Sequence, residues 1–426
     1  MLLQNCLDFA KNFDYTLSMD RKIFIPRDIG PLLEKLVKQF PSLAVTGPRQ
    51  SGKSTLLKKL FKTTHQYVSF DEPLIRQKAI TDPKLFFSEF QKPVILDEIQ
   101  YVPELLSYIK IFIDDDRSAN GRFILTGSQQ FNLIKNLGDS LAGRIGLLTL
   151  LGFSKHEKER FNALKKKALS PEGYFIDACL RGTFPEMSVN PKISFEAWYG
   201  SYLQTYLERD VRAIYNIGNL REFQKFLQLL ATRCSQMLNL NSLSGELGIS
   251  VNTIKRWISV LEASGLVYLL MPYYRNLGKR ITKNPKVYFL DCGLVCYLTG
   301  ISERKHLLNG PMAGQLFENY IIQETVKSFF NRGKRANIFY LRTHNDVEVD
   351  LIIEKNMKIF PFEIKITKTP DANMAKPIAK FKSIFSKFDI KKGNIISFCD
   401  KDSILTSDVS CISIDTYLNW LNKHNV

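Results

Sequence analysis

Short apolar runs alternate with segments of helical periodicity along the first 150 residues of the chain. The runs that have the length of buried strands are 43–46, 66–70, 93–96, 121–125 and 146–151. The segments with helical spacing of apolar positions are 31–40, 54–61, 73–80, 83–90 and 108–114. Strands that alternate with helices in this way predict a parallel sheet covered by helices on both faces.

The pattern changes after residue 154. Residues 155–238 have helical periodicity and many aromatic side chains, which indicates a helical lid or connector. Residues 239–300 contain two short helical stripes followed by strand-like runs, and residues 301–426 mix helices with short strands. We therefore predict an α/β protein whose segments are an N-terminal extension (1–20), a parallel-sheet domain (21–154), a helical connector (155–238), a small domain (239–300) and a C-terminal α/β domain (301–426).

The segment GPRQSGKST, which directly follows the first predicted strand, matches the P-loop pattern GxxxxGK[ST]. Glycines allow the backbone N–H groups to curl around phosphate oxygens, and the following helix directs its positive end at the same charge. We expect Lys53 to reach the β- and γ-phosphates and the Ser54 hydroxyl to bind Mg²⁺. The predicted nucleotide-binding residues are Gly47, Pro48, Arg49, Gln50, Ser51, Gly52, Lys53, Ser54 and Thr55.

Two acidic residues, Asp97 and Glu98, follow the predicted strand at 93–96. At the carboxyl end of a buried strand beside the P-loop, Asp97 would hold the water shell of Mg²⁺. Glu98 would then polarise a water for attack on the γ-phosphate, which is the role of a general base in a hydrolase. The alternative is that both are surface acids at the end of a core strand.

Two further positions are candidates for catalysis. The strand ending at Leu125 leads into polar residues, of which Ser128 or Gln129 could contact the γ-phosphate or the attacking water. Arg144 is the one basic residue in a small, apolar stretch, and it could neutralise charge in the transition state in its own subunit or in a neighbour's. A simple polar turn and a structural salt bridge are the respective alternatives.

Residues 243–264 have the pattern of a helix-turn-helix. Gly248 lies in the turn, and Ser250 is placed to cap the second helix. A strand, a loop with several basic and no acidic residues, and a returning strand follow, as in the wing of a winged-helix domain that lies on phosphates. The residues expected to face DNA are Asn252, Thr253, Lys255 and Arg256 on the helix, and Arg275, Lys279, Arg280, Lys283 and Lys286 on the wing. A structural or protein-binding role is the alternative.

Three charged residues near the C-terminus have the D…ExK spacing of metal-dependent nucleases. Asp350 lies in one predicted strand, and Glu363 and Lys365 face the same way on the next. In such sites the carboxylates bind Mg²⁺, and the lysine, which is catalytic rather than a ligand, helps to activate water. Glu318 could add a third carboxylate. An active nuclease, an inactive relic of that fold and an unrelated structure all remain open.

The chain is strongly basic, with 59 Lys and Arg against 42 Asp and Glu and a formal net charge of +17. The excess is largest in residues 151–300, which contain 20 basic and 12 acidic side chains. This favours a polyanionic partner such as DNA, although a general lysine bias is the alternative. No apolar run approaches the roughly 18 residues of a membrane span, and the N-terminus lacks the pattern of a secretion signal, so we expect no membrane contact and a cytoplasmic location.

Taken together, these segments resemble the prokaryotic AAA+-like P-loop ATPases that carry a C-terminal domain of unknown function 4143 with a restriction-endonuclease-like fold. The resemblance lies in IPRDIGPLLEKL, TGPRQSGKSTLL, VILDEIQYVPELLSYIK, FILTGSQQF and SLAGRI, and in QLFENYIIQE, EVDLII and PFEIK near the C-terminus. It implies ATP as the nucleotide, with Mg²⁺, and matching functional positions at Gly52, Lys53, Ser54, Asp97 and Glu98.

Two hypotheses follow for the function. In the first, an ATP-hydrolysing motor or switch engages DNA through a winged helix, with or without a metal-dependent nuclease domain. In the second, a nucleotide-dependent regulatory or scaffold protein uses its middle and C-terminal regions to bind proteins, and its nuclease fold is inactive. A homo-oligomer is compatible with both.

Overall fold

The computed structural model describes residues 24–127, 141–207, 211, 220–273, 284–343 and 347–424. The predicted N-terminal extension (1–20) therefore lies outside the described residues. So do Ser128 and Gln129, and the basic loop that carries Arg275, Lys279, Arg280 and Lys283.

The N-terminal part contains the predicted parallel sheet. Its five strands lie in the order β2-β3-β4-β1-β5, and every neighbouring pair is parallel. The strands are β1 (Ser42–Thr46), β2 (Gln66–Ser69), β3 (Val94–Asp97), β4 (Phe123–Thr126) and β5 (Ile145–Thr149). The helices are α1 (Gly30–Leu36), α2 (Lys53–Leu60), α3 (Pro73–Thr81), α4 (Pro83–Ser88) and α5 (Leu105–Asp115), and a 3-10 turn spans Ile99–Tyr101.

Alternate side chains of these strands enter two separate cores, one on each face of the sheet. Leu43, Ile95 and Ile124 pack on one face, while Ala44 and Leu96 pack on the other. The prediction of a parallel sheet covered on both faces is thus confirmed. Strand β4 lies between the strand of the P-loop and the strand of the acidic pair.

The middle part of the chain is helical, as predicted. A two-stranded antiparallel ribbon interrupts its helices near its end. Several helices begin with a serine or asparagine whose side chain accepts from a backbone N–H of the first turn, as at Ser154, Ser170 and Ser250. The helices are α6 (Lys155–Leu164), α7 (Pro171–Leu180), α8 (Pro185–Val189), α9 (Phe195–Tyr206), α10 (Leu220–Thr232), α11 (Leu240–Leu247) and α12 (Val251–Ala263). The ribbon strands are β6 (Val267–Leu270) and β7 (Lys286–Phe289), and α13 (Cys292–Thr299) and α14 (Arg304–Asn309) follow.

The C-terminal part is built around a mixed seven-stranded sheet in the order β13-β14-β12-β10-β9-β8, with β11 also paired to β10. Strands β9 and β10 form the predicted antiparallel hairpin, in which Leu351 pairs with Phe362. The strands are β8 (Ile338–Arg342), β9 (Glu348–Lys355), β10 (Lys358–Ile364), β11 (Asp389–Ile390), β12 (Gly393–Ser397), β13 (Ser403–Ile404) and β14 (Val409–Ser413). The helices are α15 (Ala313–Phe330), α16 (Lys376–Ile384) and α17 (Ile414–Lys423), and a 3-10 turn spans Ala372–Ala375.

One hydrophobic core runs through the middle and C-terminal parts, from Leu151 to Leu421. Helix α15 lies at its centre and buries residues on every side, so it needs partners from both parts. Phe175 of α7, for example, packs its ring against Phe317 of α15 and Phe398. The core therefore crosses the predicted boundaries at residues 238 and 300. Of the helices in the described ranges, none is long and apolar enough to cross a membrane.

Candidate functional site

The P-loop connects β1 to α2 at the carboxyl edge of the parallel sheet, and two glycines shape it. Gly47 has φ 142°, and a Cβ at this position would lie 2.1 Å from the carbonyl oxygen of Leu150. Gly52 is left-handed with φ 91°, and α2 begins at the next residue, Lys53. No L-residue fits Gly47 without displacing the chain that leaves β5. Helix α2 therefore begins directly at the end of the loop. Its N-terminal N–H groups can face a phosphate held in the loop, as a phosphate-binding helix requires.

Lys53 and Ser51 contribute polar groups inside the loop. The Lys53 ammonium donates to the carbonyl oxygens of Gly47 (2.9 Å) and Pro48 (3.0 Å), and the residue is 5% exposed. The buried Ser51 hydroxyl has no hydrogen-bond partner within the described part of the chain. A buried hydroxyl without a partner costs free energy, and a polyanion seated in the loop would satisfy it. The loop residues thus fit a triphosphate.

Asp97 ends β3 and is held by two hydroxyl donors. Thr126, at the end of the neighbouring β4, donates to its Oδ1 at 2.7 Å, and Tyr67 of β2 donates to its Oδ2. The sequence did not single out either donor. Burial, followed by the Asp97 carboxylate, raises the pKa of Tyr67. The carboxylate of Asp97 and the hydroxyl of Ser54 offer oxygen atoms of the hard type that Mg²⁺ prefers as ligands.

Glu98 has a left-handed backbone, with φ 57°. This conformation costs a residue with a side chain on the order of 1 kcal/mol, and such strain is concentrated at functional sites. The Gln100 side chain donates to Glu98 Oε2, which orients the carboxylate. Asp97, at the end of β3, and Glu98, which follows it, lie at the same carboxyl end of the parallel strands as the P-loop.

Arg144 lies at the amino-terminal end of the strands, opposite to the end at which the P-loop lies. It directly precedes β5, whose first residue pairs with Ser42, whereas the P-loop follows Thr46 at the opposite end of β1. In strands of this length the two ends are roughly 15 Å apart. Arg144 forms two hydrogen bonds to Asp114, at 2.8 and 2.9 Å, which hold the pKa of that carboxyl at about 2. Within this chain Arg144 forms the structural salt bridge that was the alternative to a catalytic role. It lies too far from its own P-loop to act there. A role in a neighbour's site stays a prediction.

The sequence assigned no role to Arg27, which lies beneath the P-loop and is 6% exposed. Its guanidinium donates to the carbonyl oxygens of Ser51 (2.8 Å) and Leu151 (2.7 Å) and to the carboxylate of Glu157 (2.9 Å). It therefore joins the P-loop to the start of the helical part. The only signal in the sequence was its position shortly before α1.

The D…ExK residues come together in the C-terminal sheet, as predicted. The Lys365 ammonium lies 3.2 Å from Asp350 Oδ2 and 2.7 Å from Glu363 Oε2. Asp350 also accepts a hydrogen bond from the backbone N–H of Ile364 at 2.9 Å. Glu363 is 2% exposed, and its other oxygen has no hydrogen-bond partner among the residues described.

A second lysine enters this cluster, and the sequence placed it elsewhere. Lys286 was expected on the wing facing phosphates, but it is 3% exposed. Its ammonium lies 3.0 Å from Glu318 Oε1, 2.7 Å from Glu348 Oε1 and 4.0 Å from Asp350 Oδ1. Tyr288 donates a further hydrogen bond to Glu318 at 2.5 Å. A protein cation therefore lies among the carboxylates.

Burial and charge explain the protonation of this cluster. Burial raises the pKa of Glu318 to about 7, and burial together with the Asp350 carboxylate raises the pKa of Glu363 well above its usual range. Burial alone would lower the pKa of Lys286, but Glu318 and Asp350 outweigh it and raise that pKa. Lys286 therefore stays charged at neutral pH. In the part of the chain that is described, no three His, Cys, Asp or Glu side chains are arranged to hold a metal ion. Among the predicted Mg²⁺ ligands, the Lys286 ammonium lies between Glu318 and Asp350, and the Lys365 ammonium lies between Asp350 and Glu363.

Three segments of the chain match models of known protein families. Residues 39–158 match an AAA domain, residues 172–305 match the domain of unknown function 8612, and residues 313–417 match the domain of unknown function 4143. An uncharacterized protein of Mycobacterium bovis and one of Mycobacterium tuberculosis are each 28% identical over 345 residues, which cover 81% of this chain and 74% of the relative.

Among solved structures, the Walker-type ATPase of Pyrococcus abyssi has a TM-score of 0.43 and 18% identity, and the match covers 67% of this chain and 99% of that one. RuvB of Thermotoga maritima has a TM-score of 0.29 and 16% identity over 60% of this chain and 94% of its own. Superpositions with TM-scores this low carry no weight for function. The family matches support a P-loop ATPase of the AAA type with a C-terminal domain of unknown function 4143. Such an ATPase domain binds a nucleotide, typically with Mg²⁺.

Proposed function

We propose that this chain hydrolyses ATP at its P-loop and couples hydrolysis to the engagement of DNA by its middle region. The observation that carries the ATPase part is the assembly of the P-loop, Asp97 and Glu98 at one edge of the parallel sheet. A nucleotide binder needs the loop alone, whereas hydrolysis also needs a positioned base.

Each residue has a distinct role in this proposal. Backbone N–H groups of 47–55 and the N-terminus of α2 receive the phosphates. Lys53 exchanges its two carbonyl partners in the loop for phosphate oxygens. Ser54 and Asp97 would hold Mg²⁺, which neutralises phosphate charge when bound. Glu98 takes the proton of the attacking water, and Gln100 keeps the Glu98 carboxylate oriented.

Replacement of Glu98 by Gln tests the base. Glu98→Gln keeps the size and one acceptor oxygen but cannot take a proton, so we expect ATP turnover to fall about 100-fold or more. Binding of ATP should stay close to that of the wild type. Steady-state phosphate release and equilibrium binding of a fluorescent ATP analogue measure the two effects.

Glu104→Gln is the matched control, since Glu104 is an exposed acid a few residues further along the same loop. It should turn over ATP at the wild-type rate. Wild-type turnover by Glu98→Gln would remove Glu98 from the mechanism.

The proposal of DNA contact rests on the exposed face of α12. Ser250 caps this helix, Gly248 with φ 68° ends the preceding helix α11, and the β6–β7 ribbon follows α12. This order of elements is that of a winged helix. Lys255 and Arg256 are exposed, and neither forms an ion pair with any described residue. Two unneutralised cations on the second helix of such a motif are suited to phosphate oxygens.

Removal of both cations tests this surface. The double variant Lys255→Ala, Arg256→Ala should bind duplex DNA more weakly, and its affinity should depend less on salt. The slope of log affinity against log salt should decrease by about 2, since each phosphate contact contributes roughly 0.9. Fluorescence anisotropy with a labelled duplex between low and moderate salt gives both values.

The double variant Lys84→Ala, Lys110→Ala removes the same charge from exposed positions on the ATPase domain and should keep the wild-type slope. An equal loss in both double variants would mean that net charge, rather than α12, governs binding. Unchanged binding in the α12 variant would contradict the proposal and favour the regulatory or scaffold function.

For the C-terminal domain we propose an inactive relative of the metal-dependent nucleases. The supporting observation is Lys286, whose ammonium group lies among Glu318, Glu348 and Asp350. Mg²⁺ would have to displace a buried ammonium group from three carboxylates. The lysine instead ties the ribbon strand β7 to helix α15 and strand β9. The cluster then serves as an internal charge network that holds the middle and C-terminal parts together.

Lys286→Met tests this network. It leaves buried carboxylates without their cation, so we expect the free energy of unfolding to fall by about 3 kcal/mol. Urea unfolding followed by tryptophan fluorescence reports this part selectively, because Trp198, Trp257 and Trp420 are the three tryptophans of the chain. Lys358→Met, at an exposed position of β10, is the matched control and should change little.

A direct assay for cleavage completes this test. The wild type should leave supercoiled plasmid intact in the presence of Mg²⁺ or Mn²⁺. Metal-dependent cleavage that disappears in Asp350→Ala would instead establish an active nuclease and contradict the proposal.

A further inference from the structure

Tyr67 contacts Asp97, one of the two groups that are proposed to hold Mg²⁺, and also the helix α2 that carries the other, Ser54. It is on β2, where it pairs with Ile95 of β3, two residues before Asp97. Its hydroxyl donates to Asp97 Oδ2, and the ammonium of Lys58 on α2 lies over its ring. The phenol thus links the strand of the acidic pair to the P-loop helix.

We infer that Tyr67 is a positioning residue that orients Asp97 relative to the P-loop helix, which carries Ser54, in the arrangement that binds Mg²⁺ with the nucleotide. The inference rests on the proposed ATPase function and adds a residue to its site. Tyr67 is not itself a ligand, since its hydroxyl acts through the Asp97 carboxylate.

The contacts of Asp97 explain why a tyrosine is needed. Thr126 fixes Oδ1 from β4 and Tyr67 fixes Oδ2 from β2, so the carboxylate is held from both sides. A carboxylate oxygen has two lone pairs, and Oδ2 therefore keeps one for the cation or for one of its waters. Both donors are neutral and leave the carboxylate charge uncompensated. Outer partners of this kind typically account for a 10–100-fold difference in metal affinity, an order-of-magnitude range.

The Tyr67 ring is itself held by the P-loop helix. The Lys58 ammonium of α2 lies 3.8 Å from the ring centroid, at the distance of a cation–π contact. Tyr67 is therefore in contact with α2 through the face of its ring. A change in the position of α2 would reach Asp97 through this side chain.

The test is Tyr67→Phe, which keeps the ring and the Lys58 contact and removes the hydroxyl. Equilibrium binding of a fluorescent ATP analogue is measured with saturating Mg²⁺ and with EDTA. The gain in affinity that Mg²⁺ gives should fall about tenfold in the variant, while affinity in EDTA stays at the wild-type value. Tyr108→Phe, on α5 of the same domain, is the control and should keep the full gain.

The outcomes separate this inference from the proposed function. A wild-type chain that binds no nucleotide would overturn the proposed function. A wild type that binds normally, together with an unchanged gain from Mg²⁺ in Tyr67→Phe, would overturn the role of Tyr67 alone. If a thermal melt shows that Tyr67→Phe is unfolded, Lys58→Met replaces it. That variant loosens the ring, so it should reduce the gain from Mg²⁺, and a wild-type gain there would overturn the inference.

Discussion

The arrangement of the molecule depends on the hydrogen bonds and the ion pair that the buried guanidinium of Arg27 forms. It binds a P-loop carbonyl, the backbone after β5 and the carboxylate of Glu157. Glu157 also accepts from the backbone N–H groups of Asp28 and Ser154. A buried ion pair repays the cost of desolvation only when its donors and acceptors are used in this way. The P-loop is therefore fixed relative to the start of the helical part.

Residues 153–155, which lie next to Glu157 in the chain, also form hydrogen bonds with the C-terminal part. The Lys155 N–H donates to Glu324 at 2.7 Å, and the Lys327 ammonium donates to the Phe153 carbonyl at 2.8 Å. Both partners lie on α15, the helix that carries Glu318 into the lysine-filled carboxylate cluster. Polar contacts thus continue from the P-loop to the C-terminal sheet. The ATPase domain is joined to the rest of the chain by defined contacts and not by a loose linker.

The two acidic sites differ in how their carboxylates are compensated. Asp97 is held by the neutral hydroxyls of Tyr67 and Thr126, which orient it and leave its charge for a cation. In the C-terminal cluster, Lys286 and Lys365 supply the positive charge themselves. The first arrangement suits a site that receives Mg²⁺ with a nucleotide, and the second suits a permanent structural contact. The difference in electrostatics is the physical reason for assigning chemistry to one site and stability to the other.

The sequence predicted the parts of these sites that depend on neighbouring residues. The P-loop, the acidic pair after β3 and the approach of Asp350 to Glu363 and Lys365 follow from local spacing and strand periodicity. Lys286 could not be predicted as a member of the cluster, because 64 positions separate it from Asp350 and it follows a loop with several basic residues. Tyr67 looked like an ordinary strand residue, since its role depends on the order of strands in the sheet. The position of Arg144 at the amino-terminal end of the strands likewise follows only from the direction of β5.

The proposed ATPase activity requires that Lys53 and the loop around it bind the triphosphate. Isothermal titration with a non-hydrolysable ATP analogue and Mg²⁺ measures this binding. One analogue should bind per wild-type chain, and Lys53→Ala should show no measurable binding, with both proteins folded by circular dichroism. Equal binding to the two proteins would contradict it.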